Sequence, residues 1–186
     1  MWKRVLVPVG LVLAASAIVV VPRTGVQPND ADRAFVAEMI PHHTLGMRLV
    51  DEATQHSDDV RLRRMVFEMS TYHASELDHF ERWSSEWGVA PASDFPGDLP
   101  KGDLRDLAEL DGPAHDTEWL ALMLEHHRGA LEITEAEGDG AIASARAMAE
   151  TIHSVQAQQI TEMTALLADL CADHPGSPGC QSVALG

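Results

Sequence analysis

Two stretches, "EMIPHHTLGMRLV" at residues 38–50 and "LMLEHHRGALEIT" at residues 122–134, decide the fold of this chain. In each one apolar residues recur three and four positions apart, which is the pattern of an amphipathic helix. Each also carries two adjacent histidines, the first of them three residues after a methionine. A polar ring on the buried face of a helix costs free energy unless it finds a partner. The doublets therefore mark both the core of the fold and its chemistry.

The two doublets belong to an internal duplication. At an offset of 84, Asp32, Phe35, Met39, His42 and His43 correspond to Asp116, Trp119, Met123, His126 and His127. The helices that follow match at an offset of 83, where His73 corresponds to Gln156 and Glu76 to Gln159. Such a repeat predicts two similar helical hairpins related by a pseudo-two-fold axis.

Caps, breakers and apolar periodicity predict four long helices. The first ends near His56, and the second, capped by Ser57 or Asp58, ends near Trp87. The third begins at Pro113 and ends before "GDG" at 138–140, and the fourth occupies residues 141–170. Residues 89–112 are rich in proline and glycine and form a linker with a short helix at 103–110. The pattern predicts an all-α, antiparallel four-helix bundle.

The chain divides into three parts. Residues 1–26 are a signal or membrane-anchor segment, and residues 27–172 are the bundle, with hairpins at 30–88 and 113–170. Residues 173–186 are a tail in which Cys180 is predicted to pair with Cys171. A disulfide suits an oxidising compartment, and the alternative is a pair of soft metal ligands.

The N-terminal segment predicts export. Lys3 and Arg4 precede an uncharged, mostly apolar run at 5–21. This is the charge order of a segment that directs the following chain out of the cytoplasm. Cleavage after Ala17 would give a secreted protein, and an uncleaved segment would anchor it to the cell membrane. Both outcomes place the bundle outside the cytoplasm.

The composition limits the partners. The chain has 29 Asp and Glu residues against 13 Lys and Arg, a net charge of -16. Nucleic acids and anionic lipid surfaces require a basic face, so the acidic balance argues against both. A metal ion is the predicted partner, the membrane is reached only through the N-terminal segment, and a homo-oligomer is left open.

The inward faces predict a metal site. The candidate ligands are His42, His43, His126, His127, Met39, Met47, Met123, Glu76 and His73. Imidazole with thioether suits copper, whereas imidazole with carboxylate suits iron, zinc or Cu(II). In the alternative interpretation the rings only form hydrogen bonds and the methionines only fill gaps. Among the remaining histidines, His56, His115, His153 and His174 are expected at the surface.

Pro41 interrupts the first helix directly before the doublet. Proline removes one amide donor and frees the carbonyl four residues earlier, that of Ala37. A kink at His42 is expected, either to admit a ligand or to shape the packing. The third helix has Glu125 at the matching position, so the two hairpins should differ here.

The doubled motif resembles a known family. The stretches "FVAEMIPHHTLGM" and "WLALMLEHHRGALEI", followed by a helix of the "QAQQITEM" kind, are similar to the bacterial ferritin-like family called domain of unknown function 305. The resemblance covers residues 30–170 and implies a ferritin-like bundle, export and, in some members, copper binding. It assigns the ligand role to both doublets with Met39, Met47 and Met123. His73 departs from the glutamine of the family, and the linker lacks methionine.

Three functions follow from these observations. The leading hypothesis is a non-enzymatic, extracytoplasmic protein that captures, buffers or traffics copper, with iron or zinc as other candidates. The second is a redox enzyme in which the same histidines and Glu76 hold iron or Cu(II). The third is a metal-free structural or interaction module. The "ELDH" spacing at 76–79 resembles di-iron proteins only weakly, because the second hairpin does not repeat it.

Overall fold

The computed structural model describes residues 25–100 and 102–183, and within them the chain forms helices and loops but no strands. The four long helices are α1 (Asp30–His56), α2 (Val60–Trp87), α4 (Gly112–Ala136) and α5 (Ala143–Asp173). Two short helices are α3 (Asp103–Leu107) and α6 (Cys180–Val183), and Glu137–Asp139 forms a 3-10 turn. The predicted all-α four-helix bundle is confirmed.

The predicted export segment at residues 1–26 lies almost entirely outside the described residues. In the described part of the chain, no helix is both long and apolar enough to cross a bilayer. The predicted disulfide is confirmed: Cys171 and Cys180 are bonded, with their Cα atoms 5.5 Å apart. It ties the short C-terminal helix to the end of α5, which fits an extracytoplasmic location.

The helices pack as two hairpins. α1 lies against α2, α4 lies against α5, and α1 and α4 join the hairpins along their length. The cap of α2 differs from the prediction, since Asp59 takes this position in place of Ser57 or Asp58. Its carboxylate accepts the free backbone N–H groups of Arg61 and Leu62, the usual role of a capping side chain.

Buried side chains divide the apolar core into two clusters. The Trp119 cluster contains Leu49, Leu62, Met69, Trp119, Met123 and Met163 among others. The Phe35 cluster contains Phe35, Met39, Phe80, Ile133 and Ile152 among others. Equivalent residues of the two hairpins, such as Met39 and Met123, fall in opposite clusters. This is what a pseudo-two-fold axis passing between the clusters produces.

A buried carboxylate joins the beginnings of α1 and α5. Asp32 is fully buried and accepts backbone N–H bonds from Asn29, Ala141 and Ile142 at 2.7, 2.9 and 2.9 Å. Burial alone would raise the pKa of Asp32, but these N–H groups and the Glu137 side chain hold it below its ordinary value. The effect on the neighbouring carboxyl group is opposite: burial, followed by the negative charge of Asp32, raises the pKa of Glu137 to about 8.

Pro41 fastens the linker to the bundle. α1 is one continuous helix through Pro41, and the carbonyl of Ala37, which the proline leaves without a helical donor, accepts the N–H of Ala92 at 2.8 Å. From there the linker runs across α1 toward α4, where Gly97 (φ 77°) lies against Gly129. The proline thus positions the linker over the histidines.

Candidate metal centre

Five buried histidines form a layer between the two apolar clusters. His42, His43, His126 and His127 are fully buried, and His73 from α2 is 2% exposed. The rings of His42 and His126, which are duplication partners, stack with their centres 3.8 Å apart and their planes at 16°. His73 lies 4.9 Å from His43, 6.2 Å from His127 and 6.4 Å from His126, measured between ring centres. We call these five residues the histidine layer.

Backbone carbonyls set the tautomers of two rings. The Nδ1 atom of His73 lies 3.0 Å from the carbonyl oxygen of Met69, and that of His126 lies 3.2 Å from the carbonyl oxygen of Gly97. A carbonyl only accepts, so each Nδ1 carries the proton and donates it. In the neutral ring the Nε2 atom is then an unprotonated lone pair. Both Nε2 atoms are buried and have no hydrogen-bond partner.

His42 has the opposite tautomer. Its Nε2 atom lies 3.0 Å from the carbonyl oxygen of His126 and donates to it. Its Nδ1 atom is therefore the lone pair, and it is also buried without a partner. Phe95 of the linker approaches the ring with its edge, at 5.9 Å between ring centres. His42, His73 and His126 consequently each present to the interior an acceptor nitrogen that has no hydrogen-bond partner.

The two remaining rings each bond a side chain of the helix that follows. His43 bonds the carboxylate of Glu76 through Nε2 at 2.8 Å and the carbonyl of Met39 through Nδ1 at 3.1 Å. The equivalent ring, His127, donates through Nε2 to the side-chain oxygen of Gln159 at 3.0 Å, and its Nδ1 atom is buried without a hydrogen-bond partner. The carboxylate and the amide thus occupy the same place in the two hairpins. His43 has no nitrogen free for a metal unless Glu76 moves.

Burial favours the neutral form of four rings of the layer, those of His42, His73, His126 and His127. Burial, followed by the proximity of His43, lowers the pKa of His42 to about 3. Burial lowers the pKa of His127 to about 4, against the opposing bond from Gln159. For His73 and His126, burial and the neighbouring rings lower the pKa well below the ordinary value. Neutral imidazole is the form that binds metals.

The other predicted ligands lie at different depths. Met39 and Met123 are fully buried, one in each apolar cluster. Met47 is only half-buried and belongs to neither cluster, because Leu45 and Leu49 take the inward positions around it. Glu76 is 14% exposed and reaches the layer through His43. Across residues 25–100 and 102–183, no group of three or more His, Cys, Asp or Glu side chains is arranged to hold a metal ion together.

One histidine was misplaced by the sequence. His115, expected at the surface, is fully buried near the beginning of α4. Its Nδ1 atom lies 3.3 Å from Asp116, and its ring stacks on His56 with centres 5.2 Å apart. The signal was available, since His115 directly precedes the buried Asp116 in the first turn of the helix. It lies outside the histidine layer.

Fold and site together define a helical bundle with a histidine-rich interior. The family model described as domain of unknown function (DUF305) matches residues 32–167, so the chain belongs to the DUF305 family. Comparison with curated protein sequences finds no match.

Solved structures share the fold. A DUF305 protein from Streptomyces coelicolor, for which secretion is predicted, is 24% identical, with a TM-score of 0.71 over 75% of this chain and 92% of that one. CopM in its Cu(I)-bound form is 19% identical, with a TM-score of 0.66 over 74% of this chain and 96% of that one. CopM in its Cu(II)-bound form is 20% identical, with a TM-score of 0.63 and coverage of 74% and 97%. At these identities the similarity concerns the fold alone.

Proposed function

We propose that the protein is an extracytoplasmic metal-binding protein that captures, buffers or passes on copper in its histidine layer. One observation carries the proposal: His42, His73 and His126 each hold an unprotonated ring nitrogen in the interior with no donor to satisfy it. Leaving a buried acceptor unsatisfied costs about 1–3 kcal/mol for each group. A metal ion would satisfy several of them at once.

The donor set favours copper. Imidazole binds zinc, copper, iron and nickel, and thioether shifts the preference toward Cu(I). Both fully buried methionines of the duplicated motif, Met39 and Met123, pack in the clusters that enclose the layer. The fold is also that of CopM, which binds Cu(I), Cu(II) and silver in solved structures. Zinc and iron remain the comparison metals in the test.

The proposed location rests on two features at opposite ends of the chain. Lys3 and Arg4 precede the apolar run at 5–21, the charge order of an export segment. The disulfide between Cys171 and Cys180 is stable in an oxidising compartment. We propose that the bundle works outside the cytoplasm, secreted or anchored by its N-terminal segment.

Metal titration tests the proposal. Metal-free protein would be loaded with Cu(I), Cu(II), Fe(II) or Zn(II), desalted and measured by elemental analysis. A variant with the four doublet histidines, His42, His43, His126 and His127, changed to Gln should lose copper. A matched variant with four outer histidines, His56, His79, His153 and His174, changed to Gln should retain it, and circular dichroism would check that both fold.

Two results would contradict the proposal. Wild-type protein that holds none of the metals would leave a bundle whose rings only pack and hydrogen-bond. Equal copper in the doublet variant would place binding elsewhere. Iron retained in preference to copper, with turnover of oxygen or peroxide, would instead support the redox enzyme, in which Glu76 is the added ligand.

A further inference from the structure

Close packing against Gly46 distinguishes two rings from the rest of the layer. A Cβ atom added to Gly46 would lie 2.9 Å from Nε2 of His73 and 2.9 Å from Nε2 of His126. Both nitrogens therefore face the same small volume, and no more than twice that distance separates them. These are two of the unprotonated, unpartnered nitrogens described above. They come from different hairpins and meet at Gly46, where even a Cβ atom would lie too close to both rings.

From this we infer that His73 and His126 form a two-coordinate site for a monovalent ion, Cu(I) or Ag(I), beside Gly46. The inference rests on the proposed metal-binding function and assigns its ligands, coordination number and charge. A metal held about 2 Å from each imidazole nitrogen requires the nitrogens to be about 4 Å apart. That separation lies within the limit set by the geometry at Gly46.

The surroundings are already arranged as outer partners of a metal site. Metal-binding histidines usually donate their second ring N–H to a carbonyl or carboxylate, which fixes the tautomer and the ring orientation. His73 does so to Met69, one helical turn before it, and His126 does so to Gly97 of the linker. Both rings therefore present Nε2 without reorganisation.

The number and charge of the ligands select a monovalent ion. Zn²⁺ takes four ligands in its structural sites and three protein ligands in its catalytic sites. No third His, Cys, Asp or Glu of the described residues completes such a group. Cu(I) and Ag(I) accept two nitrogen ligands in line. The cost of burying an ion also rises with the square of its charge, so a neutral pair of rings tolerates a single charge better than a double one.

The chain carries its own control for this pair. In the second hairpin the positions equivalent to Gly46 and His73 are Ala130 and Gln156. A Cβ atom at residue 46 would also approach Cδ2 of His73 to 2.7 Å. Histidine at residue 73 in this position therefore requires glycine at residue 46. The second hairpin, with a larger residue and no second imidazole, cannot form the same site. The inference therefore predicts one such site in each chain.

Silver titration of the metal-free, full-length protein tests this assignment, because Ag(I) does not change oxidation state under these conditions. In protein with ¹⁵N-labelled histidine, one equivalent of Ag(I) should shift the Nε2 resonances of His73 and His126 and split both by coupling to silver. The variant His73→Gln should bind Ag(I) at least about 100-fold more weakly, since losing an outer partner alone costs roughly 10- to 100-fold. Zn²⁺ should not compete at equal concentration.

Two further variants make the test specific. The double variant Gly46→Ala/His73→Gln reproduces the pair that the second hairpin already accommodates, so it should fold and fail to bind Ag(I) at this site. His79→Gln is the matched control: His79 bonds the carbonyl of Ser75 just as His73 bonds that of Met69, but it faces away from the layer. Its affinity for Ag(I) should equal that of the wild type.

The outcomes separate this inference from the proposed function. Silver coupling at His42, His43 or His127 with undisturbed Nε2 atoms at His73 and His126 would overturn the assignment and leave metal binding standing. An affinity of His73→Gln within twofold of the wild type would do the same. If no metal binds and both Nε2 resonances keep the shifts of hydrogen-bonded nitrogen, a bridging water satisfies the pair, and both proposals are wrong.

Discussion

Replacement of Asp32 by Ala should destabilise the bundle by several kcal/mol although it lies far from the histidine layer. The Asp32 carboxylate accepts three backbone N–H groups, two of which belong to the residues directly before α5. A hydrogen bond to a charged group contributes about 1.5–3 kcal/mol. Asn29 is exposed and Ala141 and Ile142 are half-buried, so water replaces part of each bond. We therefore expect a loss of about 3–5 kcal/mol, below the roughly 4.5–9 kcal/mol that three complete bonds of this kind would contribute.

Urea unfolding followed by circular dichroism would measure this loss. Asp51→Ala is the control, since Asp51 is an exposed carboxylate on the same helix and should change the free energy of unfolding by less than about 0.5 kcal/mol. Asp32→Asn should fall between the two, because an amide keeps one acceptor oxygen but turns a donor toward the N–H groups. A loss below about 1 kcal/mol for Asp32→Ala would show that the carboxylate does not join α1 to α5, and the reasoning would be refuted.

Three other perturbations follow from the described contacts. The metal-free protein should lose stability as the pH falls from 7 to 5, by about 2 kcal/mol for each buried ring of this kind. The pKa values of about 3 for His42 and about 4 for His127 lie below the ordinary value of 6.5. The stability that these neutral rings contribute is therefore complete above pH 6.5 and is lost as the pH falls toward 3–4. A free energy of unfolding in urea that does not change between pH 7 and 5 would contradict this prediction. Glu137→Gln should be more stable than the wild type at pH 9 and equally stable at pH 4 in thermal melts. Because the pKa of Glu137 is about 8 in the folded protein, the stability of the wild type decreases as the pH rises from 4.5 through 8, whereas Gln does not ionise. Gly129→Ala should cost about 1–3 kcal/mol of overpacking, because a Cβ atom there meets Pro96 and the backbone N of Gly97, and an unchanged unfolding midpoint would show that the linker is not seated on α4.

The sequence was sufficient for the fold because the fold depends on apolar periodicity and caps, which are local properties. It was less reliable for the rotation of α2. A helical projection at about 100° per residue predicts Tyr72 inward and His73 at the border of the inward face, yet Tyr72 is 50% exposed and His73 is 2% exposed. The inward line of α2 passes through Met69, His73 and Phe80, and the close packing of His73 against Gly46 of α1 decides between Tyr72 and His73.

The candidate site could be predicted in its residues but not in its arrangement. The doublets were recognisable because they repeat at one offset. The carbonyl of Gly97, which sets the tautomer of His126, belongs to a linker backbone and has no side-chain signal in the sequence. The bond from Ala92 to Ala37 shows the intermediate case: the proline revealed the free carbonyl, while its partner came from tertiary structure.

The position of the histidine layer between the two apolar clusters has a consequence for the uniqueness of the fold. In a bundle with a uniformly apolar core, one hairpin could slide along the other by a helical turn of about 5.4 Å and still bury similar surface. Here such a slip would carry polar rings into the Trp119 or Phe35 cluster and separate His42 from the carbonyl of His126. Each stranded group would cost about 1–3 kcal/mol. The layer therefore fixes the alignment of the hairpins along the bundle axis, and the side chains proposed to bind a metal also exclude misaligned bundles.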